Sequence, residues 1–338
     1  MFGYGLHLDG TRLYSTHRLR FNIYDLTDKN TPVLLSSTAN TSNYRFEDFD
    51  IAGNYLYVIS GAGQFSVFDI ADPSQPQLVE HHNTGSSLSS VCTNGPLLMT
   101  IDLNDVLRIY ELDSSNGTAH FQGQVTLQHQ AHSWTRISAQ NGLVFVVTDY
   151  GYECFDVSDP SAPTPVATFS SPTYTTDSVL NGSFLYIATG SGVQTVDISN
   201  PSLPSLVHNS NDGVSLSRIT IKGNLLCGSS YDRGVYTYDI SNPAQPTLKG
   251  ARRPTTQTTD VQIAGSTCYA LGTDRIVAID VSSDRPSALL SEVKLRPNGG
   301  GPTTLHHSGG WLYEINEIPI TTRSSFNQIS VARVNDPT

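Results

Sequence analysis

An all-β fold, an eight-bladed β-propeller, is predicted for this 338-residue chain by three features. One phrase recurs eight times at about 42-residue intervals. Between its copies lie apolar runs of five or six residues, rich in Val, Ile, Tyr, Leu and Phe and bounded by Gly, Asn, Asp and Pro. No 3.6-residue period runs through any of them. Short, turn-bounded apolar runs are the strand-and-hairpin signature, and a four-stranded unit repeated every ~40–50 residues is a propeller blade.

The phrase reads FNIYDLTDKNTP (21–32), FSVFDIADPSQP (65–76), ECFDVSDPSAP (153–163), VQTVDISNPSLP (193–204), VYTYDISNPAQP (235–246) and RIVAIDVSSDRP (275–286), with weaker copies at 106–117 and 326–337. Its anchor is Asp25, Asp69, Glu111, Asp156, Asp197, Asp239, Asp280 and Arg333, spaced 44, 42, 45, 41, 42, 41 and 53 residues apart. Upstream of each anchor sits a turn phrase such as IAGNYLYV or LNGSFLYI. A unit is therefore a short apolar strand, a Gly/Asn turn, a second strand such as YLYVIS, a loop, a third such as FSVFDI, a Pro-bounded turn and a fourth such as PQLVEH. Strands packed on both faces read as near-continuous apolar runs, so Tyr57, Val67, Phe68, Tyr186, Val196, Tyr238 and Ile279 are expected in the core. The anchor carboxylate is expected to accept turn amides. A residue that nearly every copy carries is scaffold, since one active centre has no use for six identical carboxylates.

One domain over 1–338 is expected, with repeats at about 1–40, 41–83, 84–128, 129–170, 171–210, 211–252, 253–296 and 297–338. The long last interval puts an insertion, EINEIPITTRSSFNQ (314–328), between the second and third strands of copy eight. That copy ends at its third strand, so it is either three-stranded or completed by residues 1–4.

At these residues the chain resembles the LVIVD-repeat family of β-propellers, most clearly in VQTVDISNPSLP and VYTYDISNPAQP. The likeness runs through 1–337; Glu111 and Arg333 depart from it, and copy three lacks both prolines. It implies a propeller, often on secreted or surface proteins, and no catalytic residue.

Composition narrows the function. Charged residues are only 14%, and the net charge is −11. Arg252-Arg253 is the sole basic cluster, whereas a nucleic-acid face needs clustered cations; no nucleic-acid partner is expected. No apolar run approaches the length of a membrane span, and MFGYGLHLDG lacks the regions of a signal peptide. Cys92, Cys154, Cys227 and Cys268 have no metal-ligand spacing and read as small buried hydrophobes, with a cross-strand disulfide as the other reading. No GxSxG, HExxH, P-loop or EF-hand pattern occurs. No cofactor is expected, no metal ligand set is assigned, and a monomer is expected.

Candidate chemistry lies where copies differ. Five residues before each turn, the first strands carry Gly5, Asp48, Ser90, Arg136, Asp177, Arg218, Asp260 and Thr304. Opposite charges in successive copies form either a salt-bridge belt or a polar pocket whose arginines hold an oxygen while Asp177 or Asp260 takes a proton. His81, His82, His129, His132 and His208 are expected between a fourth strand and the next first strand, and His132 is the candidate proton shuttle. Tyr44, Trp134, Tyr150, Tyr152, Tyr174 and Tyr231 are the candidate aromatic wall, suited to a glycan or flat organic ligand. The candidate catalytic set is thus His132, Arg136, Asp177, Arg218 and Asp260, and Asp48 joins the aromatics as ligand-binding. Two functions stay open: a non-catalytic propeller binding a glycan, a small organic molecule or a protein at its axial, top-face funnel, and a lyase-, isomerase- or cyclase-type enzyme using acid/base chemistry on a neutral substrate in that axial pocket. Loop residues differ between copies, which favours one asymmetric site over eight equivalent ones.

Overall fold

The computed structural model describes residues 6–9, 11–17, 20–25, 27, 33–40, 46–132, 135–200, 202–230, 234–252, 258–264, 266–272, 275–282, 289–294, 305–308, 311–321 and 324–333. Among them there is no helix, and hence none long and apolar enough to cross a membrane. The strands form eight antiparallel sheets, seven of four strands and one of three, each with its strands in sequence order. Sheet two is typical: Phe46–Ala52, Tyr55–Ser60, Gln64–Asp69 and Gln77–Asn83. The eighth sheet has three strands, Leu305–Ser308, Trp311–Thr321 and Ser324–Arg333. Residues 1–4, the candidate closing strand, lie outside the described residues. The insertion in copy eight lengthens a hairpin rather than forming a loop. Its two strands stay in antiparallel register from Trp311↔Arg333 out to Thr321↔Ser324.

Contacts divide the chain into two compact units. One comprises 1–26, 33–175 and 198–205 and holds the first four sheets; the other comprises 27–32, 176–197 and 206–338 and holds the rest. In each unit, successive sheets share an apolar layer. In the first, Tyr14, Phe21 and Ile23 pack on Phe46, Phe49, Leu56, Val58 and Phe68, and Met99, Ile101, Leu107 and Ile109 pack on Val144, Val146 and Phe155. In the second, Tyr186, Ala188 and Val193 meet Leu226, Tyr236 and Tyr238. All seven core residues expected from the sequence are buried. Second strands are buried nearly end to end, as at Leu143–Thr148. Fourth strands are the exposed rim, and three of them share one alternating burial pattern.

The anchor carboxylates do what their position predicts. Asp69, Asp156, Asp239 and Asp280 each accept the amide two residues on, at 2.8 Å. This is the Asx-turn geometry that lets the chain reverse after the third strand. Copy three solves the problem differently. Glu111 is one methylene longer and instead accepts Gln122 Nε2 at 3.1 Å, while Asp113 takes the turn amide of Ser115 at 2.8 Å.

One recurrent feature was not legible beforehand. The third-to-fourth-strand register slips by one residue at the same place in six sheets: between Ile23/Tyr24, Val67/Phe68, Ile109/Tyr110, Cys154/Phe155, Thr237/Tyr238 and Ala278/Ile279. The extra residue lies in the fourth strand, and such bulges sharpen local twist. Two of these residues, Gln122 and Lys249, reach back to the anchor: Lys249 Nζ lies 3.2 Å from Asp239 Oδ2.

Two outcomes are expected. Phe68 is buried and meets Phe21 edge-on at 4.8 Å between ring centres. Phe68→Ala is therefore expected to cost about 3–5 kcal/mol in denaturant unfolding. The amide and hydroxyl of Ser241 and then the Lys249 ammonium hold the Asp239 carboxyl down at about 2, against an ordinary 3.8. A depressed acid contributes stability that is complete above its unfolded value and lost as pH falls through its folded value. Wild-type melting temperature should therefore fall between about pH 4 and about pH 2, and Asp239→Asn should flatten that slope when melts are compared across the interval.

Candidate functional site

In the first unit, the first-strand carboxylates are tied to the next sheet. Asp48 Oδ2 accepts Ser90 Oγ at 3.0 Å and the Val91 amide at 3.2 Å, and Oδ1 accepts the Phe49 amide at 3.0 Å. Two residues on, Asp50 Oδ2 accepts the Thr93 amide at 2.6 Å and its hydroxyl at 2.9 Å. Burial pushes the Asp48 carboxyl up, opposed by the charge of Arg136 and by these hydrogen bonds. In the second unit the device recurs: Asp177 Oδ2 accepts the Ile219 amide at 2.9 Å, and Arg218 Nη1 lies 3.5 Å from Oδ1. Asp260, 9% exposed, accepts the Val261 amide at 2.8 Å. The aligned residues thus meet as Asp48 with Ser90 and as Asp177 with Arg218. Both oxygens of Asp48 and Asp177 are already engaged, which suits joining strands better than taking a proton from a substrate. Gly5 and Thr304 lie outside the described residues.

The histidines divide. His81, His82 and His208 are not in connecting segments as expected; they lie within fourth strands. The apolar alternation there continues to the strand end: His82 stacks on Phe65 at 4.2 Å, and His81 Nδ1 meets Ser66 Oγ at 2.8 Å. His129 and His132 do lie in the connection before the fourth sheet. Among the described residues, no three His, Cys, Asp or Glu side chains converge as a metal site.

That connection borders a polar cluster of the first unit. The sheet beside it consists of Arg136–Gln140, Leu143–Thr148, Gly151–Asp156 and Thr164–Ser170. His132 Nε2 lies 3.6 Å from Asp149 Oδ2, and the His132 amide donates to Thr135 Oγ1 at 2.8 Å. Beside Asp149, Tyr150 and Tyr174 stand 49% and 57% exposed with ring centres 4.8 Å apart. Their mutual hydrogen bond holds the Tyr150 phenol above its usual range. Tyr152 occupies a core position instead: it is buried, stacks on Phe169 at 4.6 Å, and burial pushes its phenol up. Tyr44, Trp134 and Tyr231 lie outside the described residues.

Sequence reasoning missed Glu153 and Ser170. Glu153 is 1% exposed. Its Oε1 accepts the His129 amide at 2.7 Å, the Gln128 amide at 2.9 Å and lies 3.2 Å from His129 Nδ1. On the far side of the ring, His129 Nε2 lies 3.1 Å from Ser170 Oγ. Gly151, opposite Ser170 in register, makes room: a Cβ there would strike the Phe169 carbonyl and press on His129 Nε2. The available signal was a charge, Glu153, inside a strand otherwise buried throughout.

Four-stranded meandering sheets that share apolar layers define a β-propeller-type repeat protein. The LVIVD repeat matches the chain in three places, at 47–84, 173–212 and 215–252. No curated relative matches by sequence. Among solved structures, the chain is similar to the computationally designed Ika8 protein, with TM-score 0.76, 10% identity and coverage of 97% of this chain and 95% of that one. Similarity to Saccharomyces cerevisiae Sqt1 gives 0.76, 9%, 93% and 92%. Chaetomium thermophilum Sqt1 bound to the N-terminus of the ribosomal protein L10 gives 0.68, 12%, 92% and 89%. At such identities the likeness bears on fold alone, and Sqt1 is a β-propeller.

The carboxylate ties have a measurable consequence. Asp48→Ala leaves the amide of Val91 without its acceptor and is expected to cost about 1–3 kcal/mol in urea unfolding. Because the Arg136 charge favours the ionised Asp48, Arg136→Ala is expected to move the Asp48 carboxyl titration further up, as read by carbon NMR.

Proposed function

We propose that the eight sheets are the blades of one propeller domain and that it is a ligand-binding protein whose contact surface is the rim of the fourth blade. The exposed Tyr150–Tyr174 pair carries this reading. Two half-exposed rings that touch each other are pre-organised, and ordering them costs a ligand little. Aromatic faces stack on the apolar face of a sugar ring, and Asp149 and His132 beside them supply acceptors and donors for its hydroxyls. A glycan is the occupant favoured by this mixture, and binding requires no chemistry. The engaged state of Asp48 and Asp177 supports a stitching role for the first-strand charges, Arg136 near Asp48 in the first unit and Arg218 with Asp177 and Asp260 in the second. A propeller that takes a short protein segment has precedent in Sqt1 bound to the L10 N-terminus, and that is the competing outcome.

The test is a combined glycan and peptide array probed with wild type, Tyr150→Ala, Tyr174→Ala and the double variant that carries both. Glycan signal is expected, falling about tenfold in the double variant with the melting temperature unchanged. Signal confined to peptides, or glycan binding indifferent to both substitutions, would overturn the reading. An enzymatic function is favoured by one observation, the line Glu153–His129–Ser170.

A further inference from the structure

We propose that Ser170 is an activated nucleophile, with His129 as its general base and Glu153 as the residue that positions the imidazole. The three side chains form a single relay that runs from the interior to the surface. Glu153 is 1% exposed and the His129 side chain 17%, and Ser170 is exposed at the end of its strand. An ionised carboxylate only accepts hydrogen bonds, so in the neutral ring the proton sits on Nδ1, 3.2 Å from Glu153 Oε1. Nε2 is then the acceptor, and Ser170 Oγ, 3.1 Å away, is the donor. A hydroxyl aimed at the free nitrogen of an imidazole whose other nitrogen is held by a buried carboxylate is the arrangement that nucleophilic catalysis requires.

The surroundings hold this geometry in place. Glu153 also accepts the amides of Gln128 and His129, so the backbone that carries the imidazole is held by the same carboxylate that orients the ring. Gly151 leaves the space over the strand that the ring occupies. Ser171, next in sequence to the nucleophile, donates its amide to the Tyr150 carbonyl at 2.7 Å. The Tyr150–Tyr174 rings therefore belong to the same rim as the hydroxyl. The ligand class that fits is an aryl ester: its carbonyl carbon meets Oγ while its flat leaving group meets the aromatic pair. In the step, Ser170 Oγ bonds to the carbonyl carbon, the carbonyl π pair moves to oxygen, and the Oγ proton passes to His129 Nε2. Collapse of the tetrahedral adduct breaks the bond to the leaving oxygen, which takes the proton from Nε2. The products are acyl-Ser170 and a phenol; water, deprotonated by the same imidazole, then releases the carboxylic acid.

The assignment of the nucleophile is independent of glycan binding, because it rests on Glu153, His129 and Ser170; the choice of an aryl leaving group alone draws on the tyrosine pair, and the fluorophosphonate does not need it. The test treats the full chain with 4-nitrophenyl acetate and with a fluorophosphonate, locates the adduct by peptide mass spectrometry, and compares wild type with Ser170→Ala, His129→Gln, Gly151→Ala and Glu153→Gln. The adduct is expected on Ser170. Its rate of formation should fall about a hundredfold or more in His129→Gln while the melting temperature holds. Gly151→Ala should slow it by displacing the ring. For Glu153, a downfield Nδ1 proton resonance of His129 should be present in wild type and absent in Glu153→Gln, a signature that mere pinning of the backbone would not produce. The proposal is overturned if no adduct forms, if it forms elsewhere, or if Ser170 reacts equally fast in the His129 variant. Should His129→Gln unfold, Ser170→Ala and the wild-type adduct position decide alone. Loss of glycan binding in Tyr150→Ala with Ser170 labelling intact would separate the two functions.

Discussion

Burial of apolar sheet faces against the neighbouring sheet within each unit is the constraint on which the rest depends. A four-stranded meander of such short strands presents two apolar faces and cannot hide them alone. Second strands are buried nearly end to end, and within each unit hydrophobic side chains fill the layers between successive sheets. Two buried tyrosines in these layers find a polar partner across the sheet boundary. Tyr57 spans from its own sheet to the Gly117 carbonyl at 3.1 Å, and Tyr186 reaches the Pro243 carbonyl at the same distance. Burial pushes both phenols up to about 12; the tyrosine supplies apolar area along its ring and fastens the next sheet's turn at its tip.

The repeated carboxylates solve two different backbone problems. The anchor at the end of the third strand closes a turn within its own sheet, and the first-strand aspartates fasten amides across to the next one. Both tasks follow from the need to satisfy backbone donors that the strand ladder leaves over. Copy three shows that the requirement belongs to the turn rather than to one residue: with Glu111 too long to serve, Asp113 takes the amide. The bulge beside the anchor belongs to the same local solution, because it swings the side chains of Gln122 and Lys249 back onto the anchor carboxylates.

The fourth sheet applies this logic and exceeds it. Glu153 fastens the preceding connection through two amides, as a structural carboxylate would. Here, however, the fastened segment carries an imidazole whose outer nitrogen faces a hydroxyl at the surface. A carboxylate buried to hold a loop and a carboxylate buried to orient a base need the same environment, so scaffold geometry supplied most of a nucleophile's support. The neighbouring tyrosines stay exposed because residues 149–150 and 171–174 are connections rather than strand, where nothing in the same sheet covers them.

What the sequence determined by itself is whatever is local or periodic. The spacing of Asp69, Asp156, Asp239 and Asp280 sets the unit length, their carboxylates reach only two residues along the chain, and the apolar runs between turns declare their own burial; each is legible because its cause lies within a few residues. The register slip before six of the anchors and the extended hairpin at 311–333 required the partner strand, since register is a relation between two segments. Pairings such as Asp48 with Ser90, or His129 with Glu153 and Ser170, join residues 24 to 42 positions apart. No motif spans them, and Ser170 in particular is one of many surface serines until the fold sets an imidazole beside it. Proximity of that kind is decided by how strands stack and where their connections end, which only the tertiary structure expresses.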